Sequence, residues 1–280
     1  MFEPTSLRPR RVARHLAPLV AAVTAVLLAL SLGAPAGTAS AAVAERVAPG
    51  PIHAGNTWGW YGHGGLIYDE TFVGPLAPRW KVEGRGNVQN QHGMLTLNTG
   101  RRGTVSATLE RPGQPYGRWE IRLRQRQYGS GHTPYRVLTE LVPVKDAAEG
   151  CGEQNIALNR FRMGGDSVDH YIRTRPDRQS LVTYPRTFGQ DQWHTFAIEL
   201  TPKRISWFVD AKIISSERRE EAFSGRNFQV RFTMEAVKGE RMNKARMQMD
   251  WLRYWSLQAP NERSTKAPLP PKVIAYKHAC

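Results

Sequence analysis

The stretch Arg118-Trp119-Glu120-Ile121-Arg122-Leu123-Arg124 puts Trp119, Ile121 and Leu123 on one side of an extended chain and four charged residues on the other. Successive side chains of a strand point to opposite faces, so this alternation marks a strand with one buried face. The signal recurs in Met94-Leu95-Thr96-Leu97, in Arg136 to Val142, in Thr195 to Leu200 and in Ile205-Ser206-Trp207-Phe208-Val209, with turn residues between. Helical periodicity is nearly absent. Many short strands without helices predict an all-β sandwich or barrel over residues 66–257. The period-two pattern assigns Trp119, Trp207 and Trp251 to its core.

The flanks read differently. Residues 42–65 are rich in Gly, Pro and Ala around an aromatic knot of Trp58, Trp60 and Tyr61, which predicts an irregular leader draped over the domain. Residues 258–280 carry Pro260, Pro268, Pro270, Pro271 and several lysines, the composition of a tail. No internal repeat is present. At the start, Arg8, Arg10, Arg11 and Arg14 precede an apolar run from Leu16 to Leu32 and the small-residue segment Thr38-Ala39-Ser40-Ala41-Ala42. A basic region, an apolar region and an Ala-x-Ala site make residues 1–41 a signal peptide cut after Ala41, rather than a retained membrane anchor. The expectation is a secreted, extracellular or wall-associated protein with no stable membrane insertion once the signal is removed.

The full chain carries a formal net charge of +15, and loss of residues 1–41, with four Arg and one Glu, leaves +12. Such a charge draws an exported protein to anionic surfaces, including anionic cell-wall polymer. The cations are scattered rather than blocked, which argues against nucleic acid. Two cysteines, Cys151 and Cys280, can pair with each other, stay free or link to another chain, and their spacing does not decide among these. No Cys/His spacing suits a structural zinc.

Four separated segments resemble glycoside hydrolase family sixteen, whose fold is the antiparallel two-sheet jelly roll of concanavalin A-like lectins and glucanases. They are Tyr68-Asp69-Glu70-Thr71-Phe72 with Trp80-Lys81-Val82, then Tyr116 to Leu123, then Trp193 to Asp210, and last Met249-Asp250-Trp251-Leu252-Arg253-Tyr254-Trp255. They lie in the family's order and cover nearly the whole domain. The resemblance implies a protein of β-linked polysaccharide, glucan or galactan. If active, it would be a retaining endo-glycosidase.

Members carry Glu-x-Asp-x-x-Glu, or a version one residue shorter, on a cleft strand. One Glu attacks the anomeric carbon and the other donates and later withdraws a proton. Here the corresponding run is Cys151-Gly152-Glu153-Gln154-Asn155-Ile156-Ala157-Leu158-Asn159. Glu153 takes the nucleophile position and Asn155 replaces the Asp, keeping its shape without its charge. The acid/base position falls on Ala157 or Leu158, and neither moves a proton.

Two readings follow. In one, the protein is a lectin-like relative that binds polysaccharide without turnover. In the other, Glu140 of Val137-Leu138-Thr139-Glu140-Leu141-Val142-Pro143 supplies the missing acid from the preceding strand. Adjacent strands lie about 4.8 Å apart, which suits the roughly 5–5.5 Å of a retaining pair. Opposed carboxylates would also push one pKa up, as a general acid needs. The alternative is that Glu140 pairs with one of the many arginines. A third possibility is a basic adhesion protein that holds anionic polymer by charge alone.

Candidate sugar-stacking or sugar-bonding residues are Trp58, Trp60, Tyr135, His170 and Tyr171, with Tyr61 and Tyr184 behind them. No cofactor is required. Through the family resemblance, Asp250 is the candidate ligand of a structural calcium ion.

Overall fold

The computed structural model describes residues 52–62, 65–144, 154–174 and 178–258. Fifteen strands make up nearly all the regular structure among them. In chain order they are β1 (Leu66–Glu70), β2 (Trp80–Gly84), β3 (Asn87–Gln91), β4 (Met94–Thr99), β5 (Val105–Leu109), β6 (Gly117–Tyr128), β7 (Arg136–Pro143), β8 (Asn155–Arg162), β9 (Ser167–Thr174), β10 (Arg178–Pro185), β11 (His194–Thr201), β12 (Arg204–Val209), β13 (Lys212–Glu217), β14 (Phe228–Glu235) and β15 (Lys244–Trp255). A short helix α1 (Ala54–Thr57) precedes them, and one turn of 3-10 helix lies at Glu220–Ala222.

The strands form two antiparallel sheets. One has eight strands in the order β13-β12-β11-β6-β15-β4-β3, with β1 also paired to β15. The other has seven, in the order β10-β9-β8-β7-β14-β5-β2. Alternation decides what lies between them. Trp119, Ile121 and Leu123 of β6 meet Val137 and Leu141 of β7 and Val230, Phe232 and Met234 of β14 in one continuous core. The alternate residues of the same strands face away from it. Turn chemistry supports the frame at Gly117, whose φ of +145° puts a hypothetical Cβ 2.3 Å from the Tyr254 ring. Glycine is required there, and the Tyr254 hydroxyl then donates to the Tyr116 carbonyl at 2.9 Å.

Residues 52–62 lie on the outer face of the eight-stranded sheet. Trp60 packs edge-on against Phe208 and Trp255, and the Trp58 indole N–H donates to the Ala211 carbonyl at 2.8 Å. Under this segment sits Glu120, fully buried in mid-β6. Its carboxylate accepts the backbone N–H groups of Ala54 at 2.5 Å and Gly55 at 3.1 Å, donors that the first turn of α1 leaves unpaired. Burial drives the Glu120 pKa up to about 7 against the pull of those two N–H groups.

Trp251 departs from its sequence assignment. A bulge between Met249 and Trp251 turns it to the outer face, where the His53 ring (5.0 Å) and the Arg253 guanidinium (4.2 Å) cover it. An inserted residue reverses every later side chain on a strand, so strict alternation misplaced this tryptophan. Trp119 and Trp207 do lie in the core.

Candidate functional site

The solvent face of the seven-stranded sheet carries an open groove of about 850 Å³. Its floor comes from the outward positions of β2, β5, β14, β7 and β9, among them Lys81, Thr108, Arg231, Glu140 and Arg173. Glu140 is 1% exposed. Arg231, its register partner on β14, donates to Oε2 at 2.9 Å. The Tyr171 hydroxyl, from β9, donates to Oε1. Strand β8 runs between β7 and β9, so Tyr171 reaches Glu140 across an intervening strand. It does so over Ala157, which stands opposite Glu140 in register and packs with Tyr171, Leu138 and Leu181.

The small side chain at 157 is what leaves room for this crossing. By the family resemblance the acid/base position falls here or on the next residue, and Leu158 points into the core instead. Beyond Tyr171, the Arg173 guanidinium lies 4.7 Å from the phenol ring. Arg173 and Tyr171 of β9 and Ala157 of β8 therefore lie in sequence across the two strands. Burial first, and then the Glu140 carboxylate, hold the Tyr171 pKa well above 10, so its O–H remains a donor.

Strand β8 is bulged here. Ile156 pairs with Ile172 and Arg160 with Asp169, which leaves three β8 residues opposite two on β9. The Ala157 carbonyl leaves the ladder and accepts the Trp207 indole N–H from the opposite sheet at 2.9 Å. A buried carbonyl needs such a partner, and the bond ties the cleft strand to the core beneath it.

Two other groove carboxylates are also engaged: Glu235 takes a forked contact from Arg160 at 2.9–3.2 Å, and Glu83 pairs with Lys81 at 2.9 Å. Asn155 is buried at the start of β8 in register with Arg173. Glu153 and Cys151 lie outside the described residues, as do Cys280, the signal segment and residues 259–280.

Several sequence candidates sit elsewhere. Trp58 and Trp60 lie on the outer face of the eight-stranded sheet, on the far side of the sandwich from the groove. Aromatic composition could not say which face a leader covers. Tyr135 is core, its hydroxyl on the Gly103 carbonyl at 3.0 Å. His170 points inward because β9 sends Tyr171 outward. It packs toward Trp207 and burial lowers its pKa to about 3, so it is a neutral structural ring. Asp250 receives the Arg122 guanidinium at 2.7 Å, and no group of three or more His, Cys, Asp or Glu side chains gathers among the described residues. A guanidinium thus already holds the Asp250 carboxylate on which the calcium expectation rests. Among the described residues, the structure brings together Glu140 and Tyr171 of the set. Sequence reasoning missed Arg231 and Arg173, although β14 announces Arg231 by alternating Gln229, Arg231, Thr233 and Glu235 with four apolar residues.

The sequence profile of the glycosyl hydrolases family 16 matches residues 79–253. The chain belongs to this family. Family 16 acts on β-linked polysaccharides. No curated protein matches the sequence significantly. The laminarinase from Rhodothermus marinus superposes with a TM-score of 0.55 at 16% identity, covering 68% of this chain and 96% of that one. The endo-β-1,3-glucanase from Pyrococcus furiosus gives 0.54 at 13%, covering 68% and 94%. The κ-carrageenase from Pseudoalteromonas carrageenovora gives 0.51 at 16%, again covering 68% and 94%. At such identities the likeness shows the family 16 jelly roll and nothing finer about the groove.

Proposed function

We propose that this family 16 protein is exported and holds a β-linked polysaccharide, glucan or galactan, in the groove of the seven-stranded sheet without cleaving it. One observation carries the reading. The Tyr171 ring lies over Ala157 and its hydroxyl binds Glu140, so a tyrosine fills the space in which an acid/base carboxylate would stand. Retaining hydrolysis needs two carboxyl groups that exchange protons with the sugar. Glu140 instead accepts hydrogen bonds from both neighbours, and its charge is balanced by Arg231. Support for export is the signal pattern of residues 1–41, and amino-terminal sequencing of the secreted protein after Ala41 checks it.

A second reading, hydrolysis with Glu153 as nucleophile and Glu140 as acid/base, has one observation in its favour. Glu140 does lie on the groove floor, opposite the strand that Glu153 precedes. A reducing-end assay on purified β-glucans and galactans, run beside affinity electrophoresis on the same polymers, separates the two. Binding without released ends in wild type, Glu140→Gln and Glu153→Gln supports the first. Release by wild type that disappears in both variants establishes the second.

A further inference from the structure

The groove floor presents hydroxyls and charges rather than aromatic rings. Thr104, Ser106, Thr108 and Thr233 line it beside its ionic side chains, and among the described lining residues there is no aromatic one. Ligand sites usually draw affinity from apolar and aromatic faces and specificity from a few polar groups. Without rings to stack on, polar contacts carry more of both, and hydrogen bonds to an ionised group are roughly twice as strong as neutral ones. The charge that is free to make such a bond therefore decides what the groove selects.

Two of the lining cations are already engaged, Arg231 by Glu140 and Lys81 by Glu83, each at 2.9 Å. Arg173 lines the groove from β9. Among the described residues it donates to no carboxylate, carbonyl or hydroxyl, and its Nε is buried without an acceptor. Its guanidinium carbon rests 4.7 Å from the Tyr171 ring centroid, and the Tyr171 hydroxyl is fixed in turn by Glu140. A guanidinium stacked by its face keeps N–H donors at its edge, and prior ordering lowers the entropy lost on binding. The remaining acids of the lining do not reach it. Glu235 is taken by Arg160. Glu110 follows β5, four strands from β9 in the sheet order, which is roughly 19 Å at the usual strand spacing.

We propose that Arg173 makes the groove selective for a β-linked glucan or galactan that carries uronate carboxylates, by forking two N–H groups onto one sugar carboxylate. A carboxylate is flat and accepts two parallel bonds from a guanidinium edge, the edge that stacking on Tyr171 leaves open. The inference rests on the groove being the polysaccharide site, and adds the substituent it selects and the residue that reads it.

The test titrates the full chain with laminarin and a β-galactan, each as the neutral parent, as the polymer oxidised at C6 to the uronate, and as the methyl ester of that uronate. Sulfated laminarin of equal charge density tells a carboxylate from any other anion. Near 0.1 M salt the wild type should bind each uronate about tenfold more tightly than its parent or ester, as one charge-assisted contact would give. Arg173→Gln should bring that ratio to about one. Arg173→Lys, which keeps the charge and loses the fork, should leave it intermediate, and it reads the same ratio if the glutamine variant does not fold. Arg126→Gln removes a half-exposed guanidinium from the other sheet and should keep the full ratio. Equal wild-type affinity for uronate and parent would overturn the proposal. So would the same fall in Arg126→Gln, which reduces the effect to net charge, or tighter binding of the sulfated polymer than of the uronate. Binding to no member of either series would instead sink the polysaccharide reading of the groove, and this inference with it.

Discussion

Glu140 and Glu120 occupy equivalent places on opposite faces of the sandwich, each in mid-strand and each fully buried, yet they are stabilised in opposite ways. Glu140 has a guanidinium and a phenol, and side chains complete its site. Glu120 receives two backbone N–H groups from a segment that must first fold over it. The first arrangement balances charge within the sheet and leaves an open groove above. The second leaves a desolvated carboxylate whose pKa rises to about 7. A buried acid is therefore not a catalytic sign in itself. What distinguishes the two is whether a counter-charge bonds the carboxylate directly, as Arg231 does with Glu140, or acts without a bond, as Arg253 does on Glu120.

The largest effect should come from removing that counter-charge. Arg231→Met leaves Glu140 buried without a cation, a change that typically costs about 3–5 kcal/mol. Chemical denaturation should show most of this recovered in Arg231→Met/Glu140→Met, where both polar partners are gone. A double variant as unstable as the single would mean that Arg231 acts through packing instead.

Glu120 should respond to pH. Its carboxyl holds a proton more tightly folded than unfolded, so the native state binds more protons between pH 4.5 and 7. The stability this contributes is complete below about 4.5 and is lost as pH rises through about 7. The shift corresponds to roughly 3 kcal/mol. His170 works in the other direction, because burial lowers its pKa from 6.5 to about 3 and its contribution fades as pH falls. The informative quantity is thus the difference between wild type and Glu120→Gln. That difference should change across pH 4.5–7 and be flat above pH 8. A flat difference throughout would show that the segment carrying Ala54 and Gly55 leaves Glu120 hydrated.

The strands themselves were legible because alternation is a local property. Residues 118–124, 195–200 and 205–209 carry their buried face in the sequence, and the four family-like segments supplied the order of the jelly roll. The groove was legible only in part. Alternation says that Tyr171 and His170 face opposite ways but not which of them faces solvent, and that depends on pairing with β8. Bulges hide further information. Those at Ala157 to Asn159 and at Asp250 reset the phase, and so Trp251 changed faces. Arg231 escaped notice because its meaning depends on Glu140, 91 residues away in sequence. No local pattern records such a pairing.

A smaller effect should follow from cutting the tie beneath the cleft strand. Trp207→Phe keeps the ring in the core but removes the donor to the Ala157 carbonyl. An unsatisfied buried acceptor costs about 1–3 kcal/mol, and amide exchange on β8 should quicken more than exchange on β6. Equal acceleration on both strands would make Trp207 a general core residue.

The smallest effect concerns the outer face. Arg122 and Asp250 are partly exposed, and their ion pair spans a bulge that would otherwise bring a lone carboxylate to the surface. Exposed pairs contribute about 0–1 kcal/mol, so Asp250→Asn should shift the thermal midpoint only slightly. Calcium binding there would place a second cation against a carboxylate that the Arg122 guanidinium already holds at 2.7 Å. Neither millimolar calcium nor a chelator should therefore move the midpoint of wild type. Arg122→Gln gives the sharper contrast: it removes the competing cation and leaves Asp250 in place. If calcium then stabilises the variant but not wild type, arginine and metal are alternative solutions to one carboxylate. Stabilisation of wild type by calcium would mean that Asp250 accepts the metal despite its pairing with Arg122.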